Sequence, residues 1–283
     1  MKNTQLKNIL YSYDDAQALT HSEQTESWRL ETDRKKADLI LQYADGAQSL
    51  LDIGCGGGQV LRHLAGKIPV LAGVDESEDR LARFRDNDLG IKVYHNSMTK
   101  LDVDDGSFDI VLTSHVMHEL KLFGLKDDFL KAFKEIKRVL APAGRYFMID
   151  HADSGEGAVT LKLQDKQMKL LRQFKQKFNY RSVDAKMEGA LATLSRADAH
   201  DFITKIWAMG TGAEKLEMKE THTIMKKEEL EKDLEAAGFR LDQWIPFNSI
   251  GDLMQYYSIE LVRGQLWDRQ FMLIAGIANK KDC

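Results

Sequence analysis

Between residues 49 and 149 the chain switches repeatedly between two hydrophobic periods, and this limits its fold more than any other feature of its 283 residues. Ser49–Ile53 is a short apolar run that ends in a cluster of glycines. Val70–Val74, Ile91–Tyr94, Phe108–Thr113 and Arg145–Ile149 are further runs of the same kind. Runs this short, bounded by turn residues, read as strands buried on both faces. Gln59–Ala65 and Glu78–Arg85 between them carry helical spacing, and Phe129, Phe133, Ile136 and Leu140 form an amphipathic stripe that Pro142 and Gly144 end. Strand–helix alternation specifies an α/β domain with a doubly wound, mostly parallel sheet, and ligands bind such sheets at the rim formed by the strand C-termini.

The flanks follow other rules. Trp28, Leu30, Ala37, Ile40 and Leu41 suggest one face of a helix through Arg29–Tyr43, so residues 1–46 are expected to form an N-terminal helical cover. Alternation stops after 152. Residues 158–178, 185–194 and 197–209 are expected to be helices, making 153–222 an inserted helical lid. The core pattern resumes at 223–283, with a helix over Lys226–Ala237, strands at Phe239–Ile245 and Gln270–Ala278, and a short helix near Asp252–Val262. The core is therefore expected at 47–152 plus 223–283.

Charge narrows the function classes. There are 40 basic and 44 acidic side chains, a net charge of -4. That balance argues against a general nucleic-acid binder, which carries a basic excess. The 2 cysteines, Cys55 and Cys283, do not make a disulfide framework. Neither an apolar run of membrane-spanning length nor a signal-peptide core is seen, so a cytoplasmic location and no membrane partner are expected.

Asp52-Ile53-Gly54-Cys55-Gly56-Gly57-Gly58 turns the first strand into the next helix. Glycines there permit a tight turn and a close ligand, and the helix start offers free N–H groups. Gln59-Val60 follows Gly58, so a P-loop is excluded; Gln59 also breaks the dinucleotide fingerprint G-x-G-x-x-G. Asp75, at the end of the second strand, stands where a ribose-binding carboxylate is found in this wider class. A plain βα turn and a surface aspartate are the alternatives.

Five segments in order carry a resemblance. Leu-Asp-Ile-Gly-Cys-Gly-Gly-Gly at 51–58 resembles the first motif of class I S-adenosylmethionine-dependent methyltransferases, and Gly-Val-Asp-Glu-Ser at 73–77 resembles their acidic second motif. Gly106–Val111, Phe133–Arg145 and Glu235–Phe239 are similar to the entry to their fourth strand, the helix-turn before their fifth strand and their late helix-to-strand turn. The resemblance implies a seven-stranded Rossmann-like sheet with a reversed last strand, and S-adenosyl-L-methionine as cofactor. It implies that Asp52 approaches the methionine ammonium, that Gly54 and Gly56 let the loop pass close, and that Asp75 holds the ribose hydroxyls. Cys55, Glu76 and Ser114 fall beside the cofactor on the same correspondence. Ser97 and Met98 would meet the adenine, although no carboxylate stands at 96–98 where this family often has one.

Methyl transfer from a sulfonium needs an aligned nucleophile, and a base only if the acceptor starts protonated. Ser114-His115-Val116-Met117-His118-Glu119 follows the fourth strand and Asp150-His151 ends the fifth. His118 is a candidate base, or a wall of the pocket; His115 is a second candidate that can reach the cofactor through its backbone. Tyr11, with Tyr13, precedes the first helix and is a third candidate if that segment closes over the cofactor. Cys55 reads as a packing residue. The histidines lack the H-E-x-x-H spacing, and no metal is expected. The sequence therefore reads as a methyltransferase acting on a small molecule, with 153–222 choosing the acceptor. An RNA or protein methyltransferase, a non-catalytic cofactor-binding regulator and, more distantly, a nicotinamide oxidoreductase are the rivals.

Overall fold

The structure, a computed structural model, describes residues 23–85 and 89–278. These fall into two compact units. One takes in 151–227 and 246–271, and the other holds the remaining described residues.

The first unit is built on a sheet of seven strands. In chain order its elements are α1 (Glu23–Tyr43), β1 (Ser49–Ile53), α2 (Gln59–Leu64), β2 (Val70–Asp75), α3 (Glu78–Arg85), β3 (Lys92–His95), β4 (Phe108–Ser114), α4 (Met117–Phe123), α5 (Asp128–Val139) and β5 (Leu140–His151). Beyond the insertion come α9 (Lys227–Ala237), β9 (Phe239–Ser249) and β11 (Asp268–Ile277). The strand order is β3-β2-β1-β4-β5-β11-β9, and β3 through β5 pair in parallel. The order reverses between β1 and β4, which is the switch point where ligands bind such sheets.

Burial explains these elements. Leu50, Leu51 and Ile53 of β1 and Ile110, Val111 and Leu112 of β4 are all buried, as central parallel strands require. Ala132, Phe133, Ile136 and Val139 bury the inner face of α5, where Phe133 meets Tyr146 edge-on with ring centroids 5.9 Å apart. Arg138 on the same helix donates to the carbonyls of Val103 and Leu101 at 2.7 and 2.9 Å, fixing the loop before β4. The expected turn at 141–144 is absorbed into β5 as an irregularity: Phe108 faces Leu140, whereas Ile110 faces Arg145. In α1, Ala37 and Ile40 are buried as expected, but Leu30 is exposed. Residues 1–22 of the expected cover, and the side chain of Trp28, lie outside the described ones. Among the described residues, no helix is long and apolar enough to cross a membrane.

The second unit corrects the expectation of a helical lid. It carries β6 (Ala158–Lys162), α6 (Asp165–Lys177), β7 (Ala185–Glu188), β8 (Leu191–Ser195), α7 (Arg196–Lys205), the 3-10 turn Ile206–Ala208, α8 (Glu214–Glu217), α10 (Ile250–Tyr256) and β10 (Glu260–Arg263). Four of these make an antiparallel sheet ordered β10-β6-β8-β7. Val159 and Leu161, then Ala192 and Leu194, are buried on alternate residues, a period of two that outweighs the helix propensity of alanine and leucine. Thr160 and Thr193 join across the pair at 2.9 Å. The expected helix at 158–178 is thus a strand followed by α6, and the expected helix at 185–194 is a hairpin. The unit also claims 246–271, which the sequence reading gave to the core.

Candidate active site

The glycine loop is held from below by the neighbouring strand. The amides of Gly54 and Cys55 both donate to the Val74 carbonyl, at 2.7 and 2.9 Å. Gly54 has φ +79°, and a Cβ there would lie 2.9 Å from the Val116 side chain. That contact brings the loop after β4 against the loop after β1. Gly58 serves packing, because a Cβ at this position would overlap the Phe84 ring.

Asp75 closes the loop. Its Oδ2 accepts the Gly56 amide and its Oδ1 the Ser77 amide, each at 2.8 Å. Each carboxylate oxygen has a second lone pair, so ribose hydroxyls can be accepted in addition. Asp52 is more deeply buried, and its Oδ1 has no hydrogen-bond partner. Burial, and then the Asp75 charge, push its carboxyl up to about 7. A buried acid with an orphaned oxygen is matched by a cationic donor, and the methionine ammonium of S-adenosylmethionine is one.

The other expected cofactor contacts are placed as follows. Cys55 is buried, with its thiol pushed well up by burial and then by Asp52 and Asp75, so it is no nucleophile near neutral pH. Glu76 is half-buried and its carbonyl accepts from His95 Nε2 at 2.9 Å. Ser97 Oγ is shared with Thr99 Oγ1 at 3.0 Å, and Met98 is buried. Ser114 Oγ lies 3.3 Å from His115 Nδ1. Tyr11 lies outside the described residues.

His115 directly follows β4 with φ +55°, uncommon for a residue with a Cβ, while its amide donates to the Ile149 carbonyl at 2.8 Å. This turn starts α4 and carries His118 inward. His118 is buried, and its Nδ1 lies 2.6 Å from Asp150 Oδ1. Its backbone amide donates to the other oxygen of that carboxylate at 3.1 Å. A carboxylate facing Nδ1 selects the tautomer with a proton there and leaves Nε2 as the basic nitrogen. Asp150 is the residue that site reasoning from sequence undervalued. The signal was a histidine four residues after one strand and an aspartate ending the next, but only the β4–β5 register shows that they meet.

Comparison with known proteins fits this arrangement. A family model described as a methyltransferase domain matches residues 51–148, which hold the glycine loop, Asp75 and His118. Residues 51–148 are a class I methyltransferase domain. The chain is 31% identical over 103 residues to an uncharacterized methyltransferase of Synechocystis sp., covering 36% of this chain and 47% of that protein. It is 29% identical over 153 residues to a demethylmenaquinone methyltransferase of Lactococcus lactis, covering 50% and 55%. The chain spans about half the length of these curated relatives. Among solved structures, a SAM-bound amino pentose methyltransferase from Micromonospora echinaspora shares the fold with a TM-score of 0.51 at 16% identity, over 92% of this chain and 98% of that one.

Proposed function

We propose that this chain transfers the methyl group of S-adenosylmethionine to a small-molecule acceptor whose reacting atom starts protonated, with His118 taking the proton. The observation that carries this reading is the Asp150-held His118, two residues past Val116, which packs against Gly54 of the glycine loop. Asp52, Gly54, Gly56 and Asp75 would hold the cofactor, with Ser97 and Met98 toward the adenine. The cofactor supplies an electrophilic methyl; the chain's own residues align the acceptor and remove its proton. Alignment alone supplies much of such an acceleration, and a positioned base adds roughly 10²- to 10⁴-fold. The relative named demethylmenaquinone methyltransferase is named for a small acceptor, and the net charge of -4 lends no support to a polyanionic one. We assign acceptor choice to the inserted residues 153–222, which follow β5 in the chain.

The test is methyl transfer from isotopically labelled S-adenosylmethionine to a broad panel of hydroxyl-, thiol- and amine-bearing metabolites. Label in a product of small mass, reduced in His118→Gln, supports the reading. Label in RNA or protein alone, or cofactor binding without turnover on any acceptor, overturns it.

A further inference from the structure

The second unit buries a charge cluster that methyl transfer does not use. Lys205, at the end of α7, is fully buried, and its ammonium sits 2.9 Å from Glu217 Oε2, 3.2 Å from His222 Nε2 and 3.6 Å from Glu220 Oε1. Glu217, Glu220 and His222 are each at most 5% exposed. Two carboxylates thus face one ammonium. Asp201, the next buried acid, is paired with Arg181 at 2.7 Å. Glu220 Oε2 is buried with no hydrogen-bond partner. Buried carboxylates are tolerated when matched by positive charge and fully coordinated, and here one carboxylate oxygen is left over.

The histidine is prepared as a ligand. Thr204 Oγ1 donates to the His200 carbonyl at 2.7 Å, so toward His222 Nδ1, 2.9 Å away, it acts as acceptor. Nδ1 therefore carries a proton, and Nε2 is the ring nitrogen turned toward Lys205, Glu217 and Glu220. The His222 backbone amide is pinned to Asp201 Oδ1 at 2.7 Å, and its ring is stacked on His151 with centroids 3.8 Å apart. An outer hydrogen bond that fixes tautomer and ring orientation is the usual support of a metal-bound imidazole.

We propose that Glu217, Glu220 and His222 form a binding site for a divalent transition metal of the zinc class. The spacing fits. His222 Nε2 lies 3.5 Å from Glu217 Oε2 and 3.6 Å from Glu220 Oε1, and all three ligand atoms lie within 4.8 Å of one another. Two ligands about 2.1 Å from a tetrahedral metal are about 3.4 Å apart. Two carboxylates and one imidazole suit zinc or its neighbours and leave a fourth position. Lys205 Nζ lies 2.9, 3.2 and 3.6 Å from the three ligand atoms, so binding exchanges its ammonium contacts for metal–ligand bonds. Lysine therefore competes with the metal, and the site is tuned by a residue that is not a ligand.

The test uses the full chain after chelator treatment and dialysis, with metal alone and neither cofactor nor acceptor. ZnCl2 is titrated calorimetrically, and CoCl2 is followed through its d–d bands. Expected are one equivalent of Zn2+, a tetrahedral Co2+ spectrum, a loss of at least about tenfold in affinity in Glu220→Gln and His222→Ala, and a gain of at least about tenfold in Lys205→Met. Absence of stoichiometric binding in both the parent and Lys205→Met overturns the site, as does parental affinity in Glu220→Gln and His222→Ala. If these two variants do not fold by circular dichroism, the parent's Co2+ spectrum decides: an octahedral or featureless spectrum rejects the site.

Discussion

Asp150 holds His118 by two bonds, one from the ring at 2.6 Å and one from the backbone at 3.1 Å. A single carboxylate at the end of β5 thereby sets both the place and the tautomer of an imidazole on α4. Asp150→Asn keeps the shape and loses the charge. It is expected to lower kcat/KM by about 100-fold, the low end of a general-base contribution, while the affinity for S-adenosylhomocysteine stays within about twofold. His118→Gln should do the same. Steady-state kinetics and calorimetry check this, and full activity in either variant removes the dyad from the chemistry.

Asp52 couples cofactor binding to protons. Its carboxyl ionises at about 7 in the folded chain and near 3.8 in the unfolded one. Between those values the native state keeps a proton that the unfolded chain has lost, so this group makes stability fall as pH rises from about 4 to about 7. The full loss is at most about 4 kcal/mol, from about three units at about 1.4 kcal/mol each. In the absence of cofactor, Asp52→Asn is expected to melt higher than the parent at pH 8 and to differ little at pH 4. The ammonium of the cofactor favours the ionised acid, so binding at pH 6 should release a proton. Calorimetry in buffers of different ionisation heat measures it, and a proton count of zero contradicts the placement of Asp52.

Gly54 couples the two loops of the rim. Alanine there meets Val116 and must adopt φ near +79°. Gly54→Ala is expected to cost about 1–3 kcal/mol of stability and to weaken cofactor binding as well. Adding Val116→Ala relieves the clash but leaves the backbone strain, so rescue should be partial. Denaturant unfolding of both variants measures this, and full rescue would show that the dihedral is harmless.

Cys55 should be inert in the folded chain. In a Cys283→Ser background, a thiol reagent at pH 8 is expected to react slowly with native protein and with one thiol after unfolding. Rapid reaction of the native form would contradict its burial.

Much of the first unit was legible from sequence because its strands are continuous apolar runs and its helices carry clean stripes. Asp52, Gly54 and Asp75 stand out because a glycine loop and an acid after the second strand sit at fixed distances along the chain. The second unit was misread for a physical reason. Ala185–Glu188 and Leu191–Ser195 are rich in helix formers, and they are strands because they pair with each other and because Leu191–Ser195 pairs with Ala158–Lys162, some thirty residues earlier. The buried cluster around Lys205 was equally hidden. Lys205 is twelve residues from Glu217, and a lysine at a helix end ordinarily reads as solvated.

The most direct measurement is a calorimetric titration of the full chain with S-adenosylhomocysteine, beside Asp75→Ala, in which the bond to the Gly56 amide of the glycine loop is lost. One bound equivalent in the parent and a loss of at least about tenfold in the variant are expected. Absence of binding in the parent, or equal affinity in Asp75→Ala, would contradict the reading of this loop as the cofactor site.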